Sequence, residues 1–348
     1  MTDAATNQMH QMQPNALVND AAKDTFGQNH SQNHAQKQWI TRSVFGLAIA
    51  TLGLMALGSA TRVMNAGLSC PDWPLCYGTL LPSQQMNLQV FLEWFHRLVA
   101  SVIGFGIISV TAGTWWYRRS QPQDCPRWLP WSMTFALGLV VFQGVLGGLT
   151  VTELLRFDIV TAHLGTGLLF FSTLLTIGVL LVPDAIFLPG GGTTATVDGP
   201  TIQDRVRKLQ RLRWVGLVAV LCIYLQSLLG GLVASRWALH QCFGVQQLCT
   251  VMNSHLIGVI PATIATIVAV VFAMRSKVLS SGLRHVIHGA GFLLLMQLLL
   301  GVATFRLHLQ VEPLTVAHQM VGASLLGALV IFTVAMFRTH RLVLKQAN

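Results

Sequence analysis

Residues 128–150 read WLPWSMTFALGLVVFQGVLGGLT, an apolar run without a single charged side chain. A helix needs about 20 such residues to cross a hydrocarbon core of roughly 30 Å, so this run is long enough to span a membrane. Seven more runs of the same kind flank it: Val44 to Thr61, Leu92 to Thr114, Asp158 to Val182, Trp214 to Ala234, Val251 to Met274, Val286 to Thr304 and Thr315 to Phe337. With 53% hydrophobic residues, 10% charged and a mean hydropathy of +0.58 over 348 residues, the composition excludes a soluble domain. The prediction is an all-α integral membrane protein with eight transmembrane helices.

The quoted run ends on a motif that recurs. Gln143-x-x-x-Gly147-Gly148 has counterparts in Gln226-x-x-x-Gly230-Gly231, Gln297-x-x-x-Gly301-Val302 and, in the first run, Leu54-x-x-x-Gly58-Ser59. Each leads into a run with one histidine near its start: His96, His163, His255 and His318. From glycine to histidine the separations are 38, 16, 25 and 17 residues, a long, short, long, short order that two duplicated four-helix bundles would produce. The small residues let backbones approach, and the glutamines are expected to bond across helices. The chain divides accordingly into a polar tail over 1–37 expected to be disordered, a first bundle over 38–182, a linker over 183–213 and a second bundle over 214–348. The two bundles are expected to be pseudo-symmetric.

Of the 22 Lys and Arg, 17 fall on one side of the membrane if both termini share it, and five on the other: Arg62, Arg97, Arg156, Arg236 and Arg306. That bias predicts cytoplasmic termini and puts the four histidines near the outer face. The net charge of +10 is therefore a topology signal, and nucleic-acid binding is a poor reading of it. A lone imidazole in a bilayer needs a partner or a ligand. Four at one depth on alternate helices form two facing pairs that suit a metal or a heme iron. His10, His30 and His34 lie in the tail, His240 and His308 in outer loops, and His285 and His288 near the opposite end; all seven read as ordinary polar surface.

Cys70 and Cys76 follow Gly58 by 12 and 18 residues, and Cys242 and Cys249 follow Gly230 by 12 and 19. The pairs are equivalent in the two halves, and an oxidising outer face favours disulfides over a zinc site. Four cysteines allow three pairings; the duplication favours Cys70 with Cys76 and Cys242 with Cys249, as structural staples or as a redox relay. Cys125 and Cys222 read as packed or inert thiols.

The halves differ at one place. Glu93 and His96 are three residues apart and share a helix face, with Arg97 beside them, whereas the second half has Met252, His255 and Leu256. A carboxylate beside an apolar site is expensive to hold, which suits a group that takes and gives protons. Arg97 could grip a carboxylate in a forked geometry, such as a heme propionate, or form an interfacial ion pair with Glu93. The first half is thus equipped for chemistry and the second for holding a cofactor.

The segment TRVMNAGLSCPDWPLCYG over residues 61–78, Glu93-x-x-His96-Arg97, Gly147-Gly148-Leu-Thr-Val, His163-Leu-Gly and the late His255 and His318 resemble heme A synthase. The likeness runs from the first span to the last and leaves out the tail and the linker. It implies oxidation of the C8 methyl of heme O to a formyl group for terminal oxidase assembly, by two hydroxylations and loss of water. It also implies that His96 and His163 ligate the substrate heme beside a catalytic Glu93. His255 and His318 would hold a permanent heme b, in a bacterial cytoplasmic membrane. Implied partners are heme O, an electron donor, the enzyme that supplies heme O and membrane lipid, with a homo-oligomer open. The rival readings are a b-type cytochrome that carries electrons, or a heme exporter or chaperone. A cross-membrane wire stacks hemes on both sides, whereas these four histidines share one side, and a pure carrier has no need of Glu93.

Overall fold

The computed structural model describes the backbone of residues 14–187, 201–234, 246–276, 278–307 and 310–347. Among the described residues there are eight long helices: α1 (Pro14–Val63), α2 (Leu88–Ser120), α3 (Trp128–Thr152), α4 (Phe157–Leu181), α5 (Ile202–Val233), α6 (Gln246–Arg275), α7 (Ser281–Arg306) and α8 (Glu312–Ala347). Each contains a stretch long and apolar enough to cross a membrane. The protein is all-α, and its eight predicted spans are the eight helices.

The helices outrun the apolar segments because hydropathy marks the membrane interior, whereas a helix stops only where capping or backbone chemistry stops it. Asn87 caps α2 with its side chain, accepting from the Val90 N–H at 3.0 Å, so the helix starts ahead of Leu92. Thr201 does the same for α5 by accepting from the Asp204 N–H at 3.2 Å. The basic run Arg205 to Arg213, expected as linker, is therefore the first turns of α5. At the other end of the chain α1 begins at Pro14, so helical backbone continues into the polar segment expected to lack it. The apolar span of α1 starts at Lys37. Pro261 lies inside α6, a placement that spanning helices tolerate when neighbouring groups satisfy the freed carbonyl.

Helix neighbours follow chain order. In the first half α1 packs on α2, α2 on α3, α3 on α4, and α4 closes back on α1. In the second half α5, α6, α7 and α8 form a ring in the same order. The rings meet where α8 packs on α1 and α4, and α4 on α5. Consequently α4 and α8 are the inner helices, 56% and 61% buried over their apolar windows against 17–28% for the other six. Phe332, Leu325, Leu326 and Leu329 of α8 and Leu168 and Leu174 of α4 are sealed in one core that both halves share.

Polar bonds pin this seam at several heights. Arg338 of α8 donates to the Val179 carbonyl at 2.7 Å and pairs with Asp184 at 2.5 Å. Tyr224 of α5 donates to the Gly165 carbonyl at 3.1 Å. At the histidine end, Arg62 of α1 donates to Gln319 of α8 at 3.0 Å.

Candidate functional site

The even-numbered helices each carry one histidine about two turns inside the N-terminal end. The odd-numbered helices each carry a repeat glycine in the last two turns. Packed side by side and antiparallel, glycine and histidine come to the same height. A Cβ on Gly58 would stand 3.0 Å from His96 Nε2, one on Gly147 3.6 Å from His163 Cε1, and ones on Gly230 and Gly301 3.1 Å from Cε1 of His255 and His318. Each glycine is thus the recess in which an imidazole sits, a more specific reason for the repeat than close backbone packing. Three of the four recesses have no room for a methyl group without displacing the ring.

All four rings are half-buried. His96 and His163 are close enough to interact electrostatically, and so are His255 and His318, so each bundle brings its two histidines together. Nδ1 of His163 and Nδ1 of His318 are buried without a hydrogen-bond partner. Among the described residues no cluster of three or more His, Cys, Asp or Glu could hold a bare metal ion. Two imidazoles per bundle, with orphaned ring nitrogens, suit a metal whose remaining ligands come with it, as in a heme.

The repeat glutamines serve the same rings. Gln143 donates to the His163 carbonyl at 3.0 Å and to the Thr166 hydroxyl, but not to the ring. Gln226 donates to the His255 carbonyl at 2.8 Å and reaches His255 Nδ1 at 3.0 Å. Gln297 reaches His318 Nε2 at 3.2 Å. The carbonyl oxygens of Gln226 and Gln297 are both buried without a partner. At the first repeat Leu54 takes the sequence position of the glutamine, and the His96 ring has no hydrogen bond among the described residues.

Glu93 and Arg97 form a clamp on the loop between α1 and α2. Cys70 and Cys76 are bonded in a disulfide with their Cα atoms 4.8 Å apart. Glu93, 4% exposed, accepts from the Cys70 N–H at 2.8 Å on one oxygen and from Arg97 at 2.7 Å on the other. Arg97 donates as well to the carbonyls of Asp72 at 2.6 Å, Leu75 at 2.5 Å and Cys70 at 3.4 Å. Its Nη donors are therefore spent on this loop, and a propionate would have to displace them. Asp72 braces the turn from outside, accepting from the N–H groups of Tyr77 at 2.6 Å and Gly78 at 2.7 Å. Those bonds, Gly78 first, hold its carboxyl below the usual carboxylate range. The clamp lays Trp73 on α3, its ring 3.2 Å from where a Gly148 Cβ would be, beside the Gly147 recess of His163. The loop thus reaches α3 one residue from the His163 recess.

Every site residue expected in the first half falls in this assembly. The second half contributes His255 and His318, whereas Cys242 and the side chain of Cys249 lie outside the described residues, as do His10, His240 and His308. Cys125 is buried and Cys222 half-buried, both free thiols; burial pushes the Cys125 thiol up. His285 and His288 are exposed. Sequence reasoning missed the loop carbonyls that Arg97 holds and the brace by Asp72, although an aspartate five residues before a Tyr-Gly turn is a signal for it. It also missed Gln319 and the buried His340, bonded to Arg213 at 3.0 Å at the opposite end of the bundles.

A family model described as cytochrome oxidase assembly protein matches residues 41–330. A heme A synthase of Shewanella oneidensis is 27% identical over 88% of this chain and 98% of its own length. One from Geobacillus thermodenitrificans is 36% identical over 34% of the chain and 36% of its own length. One from Novosphingobium aromaticivorans is 26% identical over 56% and 59%. The family match takes in all eight recess and histidine positions together with the clamped loop, and the chain belongs to the cytochrome oxidase assembly protein family, with heme A synthases among its relatives.

Proposed function

We propose that the protein oxidises the C8 methyl group of heme O to a formyl group, giving heme A. The observation that carries this reading is the glycine recess opposite each of four histidines, two per bundle, with a carboxylate beside only the first pair. His96 and His163 hold heme O in α1–α4, and His255 and His318 hold a permanent heme b in α5–α8. Heme b supplies one-electron redox chemistry when bound. The residues do the rest. Gln226 and Gln297 lie within hydrogen-bond reach of the His255 and His318 rings and orient them, while no glutamine reaches the His96 or His163 ring, which suits a site that must accept substrate and release product.

Glu93 is one turn before His96 and takes up or returns a proton at its carboxylate. Its charge is held by Arg97, so a proton arriving at Glu93 weakens that pair and loosens the disulfide loop over the substrate. Arg97 acts through that loop as a positioning residue. The recess end of the bundles is the outer face, with both termini cytoplasmic, a reading supported by the distribution of Lys and Arg.

The test is expression in a bacterial host that makes heme O but no heme A, followed by extraction and identification of the hemes. Heme A is the expected product. Heme O alone, with heme b bound to the protein, would favour an electron carrier or a heme chaperone instead.

A further inference from the structure

Arg62 ends the apolar part of α1, four residues after Gly58 and so on the same face as the His96 recess. Its guanidinium leaves the first bundle and donates from Nη2 to Gln319, the residue after His318. Its Nε is sealed from solvent and has no hydrogen-bond partner, and Ser59 Oγ and Thr315 Oγ1 on the same two helices are likewise buried and unpartnered. The carboxylates that form ion pairs among the described residues, Glu93, Glu153, Asp158 and Asp184, are taken by other arginines. Arg62 itself forms no ion pair among the described residues, and a guanidinium with its Nε sealed beside unpartnered hydroxyls and no counter-charge is costly. An anion brought in by a ligand resolves the cost, and the side of a guanidinium that carries Nε fits a carboxylate in forked geometry.

We propose that Arg62 binds a propionate of the heme held by His255 and His318, reaching across the seam from the first bundle. The assignment rests on the heme reading above and gives Arg62 the role that the spent donors of Arg97 leave open. It also makes one side chain the link between the two sites, anchored on the His96 face and charged beside His318.

The test is a redox titration of bound heme b in the full-length protein, with heme content and absorption spectrum recorded alongside. In Arg62→Gln the loss of a positive charge beside the propionate favours ferric iron, so the midpoint potential moves to a more negative value while the spectrum stays low-spin. Gln319→Leu, which removes the bond and keeps the charge, moves it less, and Arg62→Lys falls between wild type and Arg62→Gln. A potential unchanged in both Arg62 variants overturns the proposal, as does a Gln319→Leu shift as large as that of Arg62→Gln. If Arg62→Gln loses heme, Arg62→Lys decides on the same scale. A wild-type potential that tracks chloride concentration, with the response gone in Arg62→Gln, would assign an inorganic anion and remove the propionate. Unaltered protein without low-spin heme b would overturn the heme reading itself, which is a distinct result.

Discussion

The first bundle and the second share a frame and differ in what surrounds it. Both place a histidine opposite a glycine on each neighbouring pair of helices, with recess distances of 3.0 and 3.6 Å in the first and 3.1 Å twice in the second. In the second, glutamine amides reach the imidazole nitrogens directly. In the first, Gln143 bonds the His163 carbonyl and the Thr166 hydroxyl but not the ring, the His96 ring has no hydrogen bond among the described residues, and a charged clamp ties down the disulfide loop. On the proposed reading, the ring of helices whose histidines are held by glutamines keeps a cofactor, and the one whose histidines lack them takes substrate.

The largest effect that would break this comparison is at Glu93. Glu93→Gln keeps the size and an acceptor for the Cys70 N–H but removes the titratable proton, so turnover should fall by about 10² to 10⁴ fold, the usual range for a general acid or base. Heme b should stay, because Glu93 belongs to the other ring of helices. Product analysis together with the heme b spectrum distinguishes the outcomes: normal heme A formation makes Glu93 a structural clamp, and loss of heme b makes it a support for the whole fold. Build-up of the hydroxylated intermediate would place it in the second oxidation.

A smaller effect sharpens the recess. Gly230→Ala and Gly301→Ala put a methyl at 3.1 Å from an imidazole, whereas Gly147→Ala puts one at an ordinary 3.6 Å from His163. Heme b content after purification should therefore drop several-fold in the first two variants, and it should stay near wild type in the third, whose recess also lies in the ring of helices assigned to substrate. Equal heme b in all three would show that the rings move freely and that the glycines serve only backbone packing.

The smallest effect concerns pH. Asp72 lies in the outer loop, and its carboxyl is lowered by the Gly78 and Tyr77 N–H groups. A depressed carboxylate contributes to the loop above its unfolded value of about 3.9 and loses that contribution only as pH falls through the lower folded value. Exchange of the Tyr77 and Gly78 amides, corrected for intrinsic rate, should stay constant from about pH 5 to 8 and speed up in Asp72→Asn. Protection that falls between pH 7 and 5 would assign the brace to another group.

Much of this was legible in the residues. Eight spans follow from hydropathy because an unbroken apolar run of about 20 residues matches a spanning helix and is too long for a spanning strand. The repeat glycines and the four histidines were legible as well, but the repeat read as close backbone packing, and that each glycine faces an imidazole shows only when the helices are packed. The helix starts at Leu88 and Ile202 were not legible, since capping by Asn87 and Thr201 acts outside the apolar runs. Nor was the use of Arg97, because its partners are backbone carbonyls of a loop 22 to 27 residues away in sequence, and no side-chain pattern announces a carbonyl. The crossing of Arg62 to Gln319 spans 257 residues and depends on how the two rings meet.

The division of labour between the rings is tested most directly by heme b content in four single variants purified from a host without heme O. His255→Ala and His318→Ala should lose the low-spin heme b spectrum, each removing one axial ligand. His96→Ala and His163→Ala should keep it. Retention in the first two with loss in the second two would reverse the assignment of cofactor and substrate sites and contradict the account.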